Sequence, residues 1–266
     1  MEYRIKEIAE AFNLSKQMIR YYEQCGVIAP KRQEENNYRL YDTMDYFALS
    51  EAIALSRFNV NIKNIYTLKA KDYCDKLSEC YRNFINVTDR ELKYKELLKD
   101  RAEELLLRTE NAEMNVGHIW IKRVPPYRMY PLMKSHNDTY GAIEIPEKVK
   151  DLLNSSDILP FCDGAIELND HSEQWWLLIG KRYAKQLELP ECEDSVDVEE
   201  QCCICIILNM GNIGEFNADL IRKEIDRICK MNYEIIGKPR SVLLCRGSNG
   251  NEFRRLLELQ VPIRKP

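Results

Sequence analysis

The sequence predicts an α+β protein in three parts: a winged helix-turn-helix head, one long helix, and a C-terminal domain of two β-α-β-β units. Three observations predict it. Over residues 1–72, apolar side chains recur at helical spacing between short polar turns. Residues 73–115 hold neither proline nor glycine and are dense in Lys, Arg and Glu. From Gly117 on, the chain carries 9 of its 10 Pro, 9 of its 10 Gly and all three Trp, and short apolar runs alternate with turn residues. The expected divisions are therefore 1–72, 73–116 and 117–266.

The head is read element by element. Ile5, Ile8, Ala9 and Phe12 fall at i, i+3, i+4 and i+7, one face of a helix. Asn13-Leu14-Ser15 is a turn, and Ser15 is a suitable N-cap for a second helix. That helix turns Met18, Ile19 and Tyr22 inward and stops at Gly26, which tolerates the left-handed position after a helix. Two short helices so joined form a helix-turn-helix, whose second member can enter a major groove. Lys16 and Arg20, four apart on it, reach the same side. Pro30, the basic pair Lys31-Arg32, the turn Glu35-Asn36-Asn37 and Tyr38-Arg39-Leu40-Tyr41 read as a hairpin wing, with Arg39 and Tyr41 on one face. Two bracing helices follow, one over 43–57 (Phe47, Ala48, Ala52, Leu55) and one over Asn61–Lys71 (Ile62, Ile65, Leu68).

In the second segment Leu77, Tyr81, Phe84, Ile85, Thr88, Leu92, Leu98, Ala102, Leu105 and Leu106 recur at spacings of three and four, an imperfect heptad seam. A helix about 60 Å long, at 1.5 Å per residue, needs a partner surface; the plainer alternative is a solvated amphipathic helix. Beyond it, apolar runs lie at His118–Met133, Gly164–Leu168, Trp175–Tyr183, Cys202–Met210, Ile235–Cys245 and Leu256–Ile263, with helical runs at Pro146–Leu153 and Asn217–Cys229. The order β-α-β-β occurs twice, in halves of about 118–183 and 202–264 joined by an acidic linker, Glu188–Glu200. This is a duplication of element order, without a residue-level repeat.

The head resembles that of MerR-family transcription regulators. The resemblance is carried by Ile19-Arg20-Tyr21-Tyr22-Glu23, Gly26-Val27-Ile28-Ala29-Pro30 and Tyr38-Arg39-Leu40-Tyr41-Asp42, in matching register. Asn37 and Asn59 stand where relatives usually have Gly; Asn also tolerates positive φ. The resemblance implies DNA contacts from Ser15, Lys16, Arg20, Tyr21, Tyr22, Tyr38, Arg39, Tyr41 and Lys63. It also implies an antiparallel homodimer through the long helix, a palindromic promoter, and activation of RNA polymerase by distorting that promoter. Residues 117–266 resemble the GyrI-like effector-binding domain, through Leu257-Glu258-Leu259-Gln260-Val261-Pro262-Ile263 and the strand Ile119–Pro125. This second resemblance implies a cavity in which Glu258 meets lipophilic, often cationic ligands. A lone carboxylate in an apolar cavity is costly until a cation joins it. Tyr127, Tyr130, Phe161, Trp175, Trp176, Tyr183 and Tyr233 are the candidate aromatic lining; for each, plain core packing is the alternative. Trp175 and Trp176, adjacent in a strand, should point to opposite faces.

Other classes find little support. No run of 18 apolar residues suggests a membrane span, and the N-terminal residues lack a signal-peptide core, so a cytoplasmic protein is expected. The net charge is −4, but residues 1–72 carry 11 Lys+Arg against 10 Asp+Glu, so any nucleic-acid footprint is local. Ten cysteines in such a protein are expected to be reduced. Cys202, Cys203 and Cys205 sit in an apolar strand, and His118, His136 and His171 are scattered, so no metal or cofactor is expected. Neither a phosphate-binding loop nor a nucleophile elbow is present, and Gly211-Asn212-Ile213-Gly214 reads as a turn, so no enzyme is expected. The rival reading is a pocket protein that sequesters or hydrolyses its ligand, with Glu258 and Tyr233 as the acting pair.

Overall fold

The computed structural model describes residues 2–34, 36–63, 70–141, 147–170, 172–189, 191, 193–212, 214–249 and 252–264. The chain divides into two compact units, Met1–Tyr94 and Lys95–Pro266.

The first unit contains β1 (Tyr3–Arg4), α1 (Ile5–Ala11), α2 (Lys16–Gln24), β2 (Lys31–Arg32), β3 (Arg39–Tyr41), α3 (Thr43–Ser56) and the start of α4 (Ala70–Ala112). Ser15 caps α2 as expected, its hydroxyl accepting from the Met18 N–H at 3.1 Å. Gly26, Asn37 and Asn59 take positive φ of 75°, 58° and 56°, so asparagine serves at the two places where relatives carry glycine. The wing is a three-stranded sheet rather than a hairpin, in the order β1-β3-β2, with Tyr3 opposite Tyr41 and Arg32 opposite Arg39. A strand of two residues is too short to announce itself by alternation. Ile8, Ile19, Tyr22, Tyr41, Leu49, Ala52 and Leu55 form the core of the unit, and Leu77, Cys80 and Tyr81 of α4 pack on it.

Three helical readings change. Met18, expected inward, is 39% exposed, and Phe47 is 62% exposed. Ile65 and Leu68 lie outside the described residues. The expected seam of α4 also divides its labour. Phe58 meets Tyr81 and Phe84 edge-on at 5.3 and 5.4 Å, so this part of the seam serves the chain's own head. Ile85, Leu92 and Leu106 remain exposed, at strict multiples of seven.

The second unit continues α4 into a nine-stranded antiparallel sheet. Its strands are β4 (Ile119–Val124), β5 (Tyr127–His136), β6 (Thr139–Tyr140), β7 (Cys162–Leu168), β8 (Glu173–Gly180), β9 (Val196–Val198), β10 (Gln201–Asn209), β11 (Arg240–Asn249) and β12 (Glu252–Pro262). Helices α5 (Glu147–Asn154), α6 (Lys181–Gln186) and α7 (Asp219–Cys229) lie between them in the chain. The sheet runs β4-β10-β12-β11-β7-β8-β5-β6, with β9 also paired to β5. Taken as β5-α5-β7-β8 and β10-α7-β11-β12, each half orders its strands first, third, second, and the two second strands, β7 and β11, meet at the centre. The order is thus palindromic, as a pseudo-twofold repeat requires.

Some boundaries differ from the sequence reading. The run His118–Met133 is two strands, broken at Pro125-Pro126, where two successive residues lack an N–H. β4 then pairs β10 while β5 pairs β8, so the predicted first strand belongs beside the second half. The run Trp175–Tyr183 leaves the sheet at Gly180 and continues as α6. β11 starts at Arg240, after Gly237-Lys238-Pro239. The acidic linker is not free: β9 within it pairs β5, Arg128 binds Asp197 and Glu191 at 2.7 and 2.8 Å, and Lys181 binds Glu199 and Asp197. The Arg128 guanidinium holds Asp197 below the usual carboxylate range.

One face of the sheet packs on α7: Ile204, Ile206, Leu257, Leu259, Val261 and Ile166 with Ile221 and Ile228. At its edge, Asn137 and Asp138 both take positive φ in the β5–β6 turn. Buried Asp138 accepts a bidentate pair from Arg255, at 2.9 and 2.6 Å, and N–H groups of Gly214 and Phe216. Burial alone would raise this carboxyl; the Arg255 and backbone donors outweigh it and hold it low. On α4, Arg101 and Arg108 both donate to Asp163 of β7, at 2.7 and 3.0 Å, and Arg101 also reaches the Pro160 carbonyl. Among the described residues no helix is long and apolar enough to cross a membrane.

Candidate functional sites

The first candidate site is the face of α2 and its wing. Because Ile19 and Tyr22 turn into the core, the helical period leaves Lys16 and Arg20 exposed together on the opposite side. Tyr21 and Tyr38 are 47% and 63% exposed, and Ser15 and Lys63 are also at the surface. Lys31 and Arg32 add exposed cations on β2, and Arg32 donates to the Asn37 side chain at 3.4 Å. Sequence reasoning saw this basic pair in the wing without placing it among the contacts.

Three predicted contacts stand elsewhere. Arg39 binds both carboxylate oxygens of Glu23, at 3.0 and 3.2 Å, tying the wing to the end of α2. Tyr41 is fully buried because β3 lies between β1 and β2, and burial pushes its phenol up to about 12. Tyr22 is 4% exposed and packs in the same core. Arg39 therefore positions the wing, and Tyr22 and Tyr41 support the head from within.

The second candidate site is the sheet face opposite α7. Directly opposed residues of an antiparallel pair share a face. Glu258 lies opposite Ile207 and Val242, and Trp176 opposite Ala165. Tyr127, Cys203, Cys205, Val242 and Ala165 form one apolar cluster there, with Trp120 and Trp176 against it. Glu258 is 6% exposed, and its Oε1 accepts from Gln260 at 2.6 Å and from Lys122 at 2.5 Å. On the same face buried Glu167 accepts from Arg240 at 3.0 Å and from Lys238 at 2.9 Å; Arg240 also reaches the Tyr127 hydroxyl at 3.4 Å. Burial raises the Tyr127 phenol, with Arg240 opposing. The Trp176 Nε1 is buried with no hydrogen-bond partner among the described residues.

The predicted lining divides between the two faces. Glu258, Tyr127 and Trp176 share one face of the sheet. Trp175 and Tyr233 pack in the α7-side core, as alternation demands for Trp175. Tyr130, opposite Leu177, points with them, and Phe161 and Tyr183 stack on each other at 4.9 Å, both nearly fully buried. Trp175, Tyr233 and Tyr130 thus lie on the other face from Glu258, and Phe161 and Tyr183 are buried against each other. Lys122, Trp120 and Arg240 were missed. Their signal was alternation along β4 and β11, which needs the register to be read.

Burial pushes the Cys203 thiol up to about 12 and raises Cys205 further, so both stay protonated within the sheet. Among the described residues no group of three or more His, Cys, Asp or Glu is arranged to hold a metal. A cavity lined by Leu168, Asn169, Asp170, Ile225, Lys238 and Pro239 contains none of the predicted ligand residues.

Residues 3–71 match the family described as MerR HTH family regulatory protein. No curated protein matches the chain. Among solved structures it is similar to the EcmrR–DNA complex in EcmrR-RPo seen by cryo-EM, at 13% identity over 99% of this chain and 100% of that one, TM-score 0.34. It is similar to a MerR-family transcriptional regulator from Bacillus cereus, at 17% identity over 42% of this chain and 86% of that one, TM-score 0.33. SAV2435 bound to tetraphenylphosphonium matches at 9% identity over 55% of this chain and 94% of that one, TM-score 0.29. The head, residues 3–71, matches the MerR helix-turn-helix family, which supports a DNA-binding transcription regulator.

Proposed function

We propose that the chain works as a cytoplasmic homodimer that binds a palindromic promoter and answers a small lipophilic, often cationic molecule. In this reading 1–72 holds the DNA, 73–116 pairs with a second copy, and 117–266 takes the effector. Differential binding of the effector shifts the dimer between two DNA-bound geometries, one of which distorts the promoter into register for RNA polymerase. The observation that carries the reading is the joining, in one chain, of a head that matches the MerR family with a sheet face that buries the Glu258 carboxylate and also bears Trp120, Trp176 and Tyr127. Continuous helix α4 joins the two units without a glycine or proline in its 43 residues, so it can carry a change of state between them.

The test begins with DNA. Full-length protein should bind its own upstream DNA, with affinity falling steeply as salt rises. Arg20→Ala should weaken that binding by about 1–3 kcal/mol if Arg20 reads a base, measured by fluorescence anisotropy across a salt series. Unchanged affinity would remove α2 from the interface. The effector arm uses tetraphenylphosphonium, the compound held by SAV2435, against neutral triphenylphosphine oxide. Calorimetry should show a preference for the cation.

A further inference from the structure

We infer that Lys122 is a tethered counter-ion for Glu258, which an effector cation must displace, and that it thereby sets the threshold of the response. The inference rests on Glu258 being the effector carboxylate. Glu258 is not a bare acid awaiting a charge: its Oε1 already accepts from the Lys122 ammonium at 2.5 Å. The two residues differ in how they are held. The Glu258 side chain is 7% exposed, in the middle strand of its half, flanked by β10 and β11. Lys122 is 34% exposed, on β4 at the end of the sheet path, and reaches Glu258 from two strands away across β10. The carboxylate is fixed; the ammonium has a flexible stem and a short way to water.

That asymmetry defines an exchange. Swinging Lys122 into solvent restores its hydration at little cost, but strips Glu258 of its charge partner. A buried carboxylate so left is unfavourable unless another cation arrives. A neutral ligand offers no replacement, so it must fit beside the intact pair. A lipophilic cation can take the place of the ammonium and cover Trp120 and Trp176, whose faces attract cations. The chain thus carries its own competitor for the effector.

The experiment measures tetraphenylphosphonium and triphenylphosphine oxide binding to full-length wild type, Lys122→Met, Lys122→Arg and Glu258→Gln by calorimetry, with circular dichroism melts to confirm folding. Lys122→Met should tighten the phosphonium about tenfold, the scale of one charge–charge competition removed, and leave the neutral oxide within about twofold. Lys122→Arg, which keeps a cation, should not tighten it. Tightening of both probes, or none in a folded Lys122→Met, overturns the counter-ion role. If Glu258→Gln still loses the phosphonium in that case, the effector reading stands and only Lys122 is removed from it. If neither wild type nor Lys122→Met binds the phosphonium while DNA binding persists, the effector reading fails as well.

Discussion

Asp138→Asn should destabilise the Lys95–Pro266 unit by about 3–5 kcal/mol, the cost of leaving one partner of a buried ion pair uncompensated. Asp138 and Arg255 have side-chain exposures of 1% and 8%, and the carboxylate also accepts the Gly214 and Phe216 N–H groups. The amide retains the shape but leaves the Arg255 charge in the interior. Combining it with Arg255→Met should recover part of the loss, because an apolar pair is often tolerated where a half-pair is not. The wild type should also carry an acid signature. Asp138 has a depressed folded pKa, so its contribution is fully present above the unfolded value of about 3.9 and is lost as pH falls through the folded one. Urea melts from pH 7 downward should therefore show less acid sensitivity in Asp138→Asn than in wild type. A loss well under 1 kcal/mol would mean that the pair is solvated rather than buried.

Ile85→Asp combined with Leu92→Asp should leave the proposed homodimer monomeric and weaken binding to a full palindrome by about 10²-fold or more, the avidity lost when two linked half-sites become one. Both residues are more than half exposed, a heptad apart on α4, whereas Leu77, Tyr81 and Phe84 already face their own head. Leu98 is only partly exposed and Leu105 likewise, so they are poorer targets. Light scattering at micromolar concentration gives the assembly state, and anisotropy with full and half sites gives the affinities. A dimer that survives both substitutions would move the interface off this seam.

The local features were legible from sequence because their causes are local. The Ser15 cap, the turn at Gly26, the positive φ at Asn37, the long helix and the repeated β-α-β-β order all follow from neighbours within a few residues. What escaped depends on pairing. β1 has two residues and exists only because β3 lies beside it. In sequence β4 reads as one run with β5 in the first half, since nothing in Ile119–Val124 says that its partner is β10, far along the chain. The acidic segment 188–200 read as a linker because Arg128 and Lys181, which neutralise it, lie outside it. The sheet face around Glu258 follows the same rule. Glu258 is legible in its own strand, but Lys122 and Arg240 join its face only through register, and Trp175, Tyr130 and Tyr233 lie on the other face. In the head, exposure separated Lys16 and Arg20, which face outward, from Arg39, Tyr22 and Tyr41, which hold the scaffold.

The interleaving of the sheet has a practical consequence. β4 precedes the first half in the chain yet hydrogen-bonds to β10 of the second, and β9, after α6, is stitched to β5 of the first. Each half thus lends a strand to the other, and β7 joins β11 between them. The chain is held to itself on both sides of the exposed pair Glu193-Asp194. A protease nick there should leave two pieces that elute as one body and separate only in denaturant. Expressed as two polypeptides, they should reassemble on mixing, a split reporter whose closure registers whatever steadies the sheet.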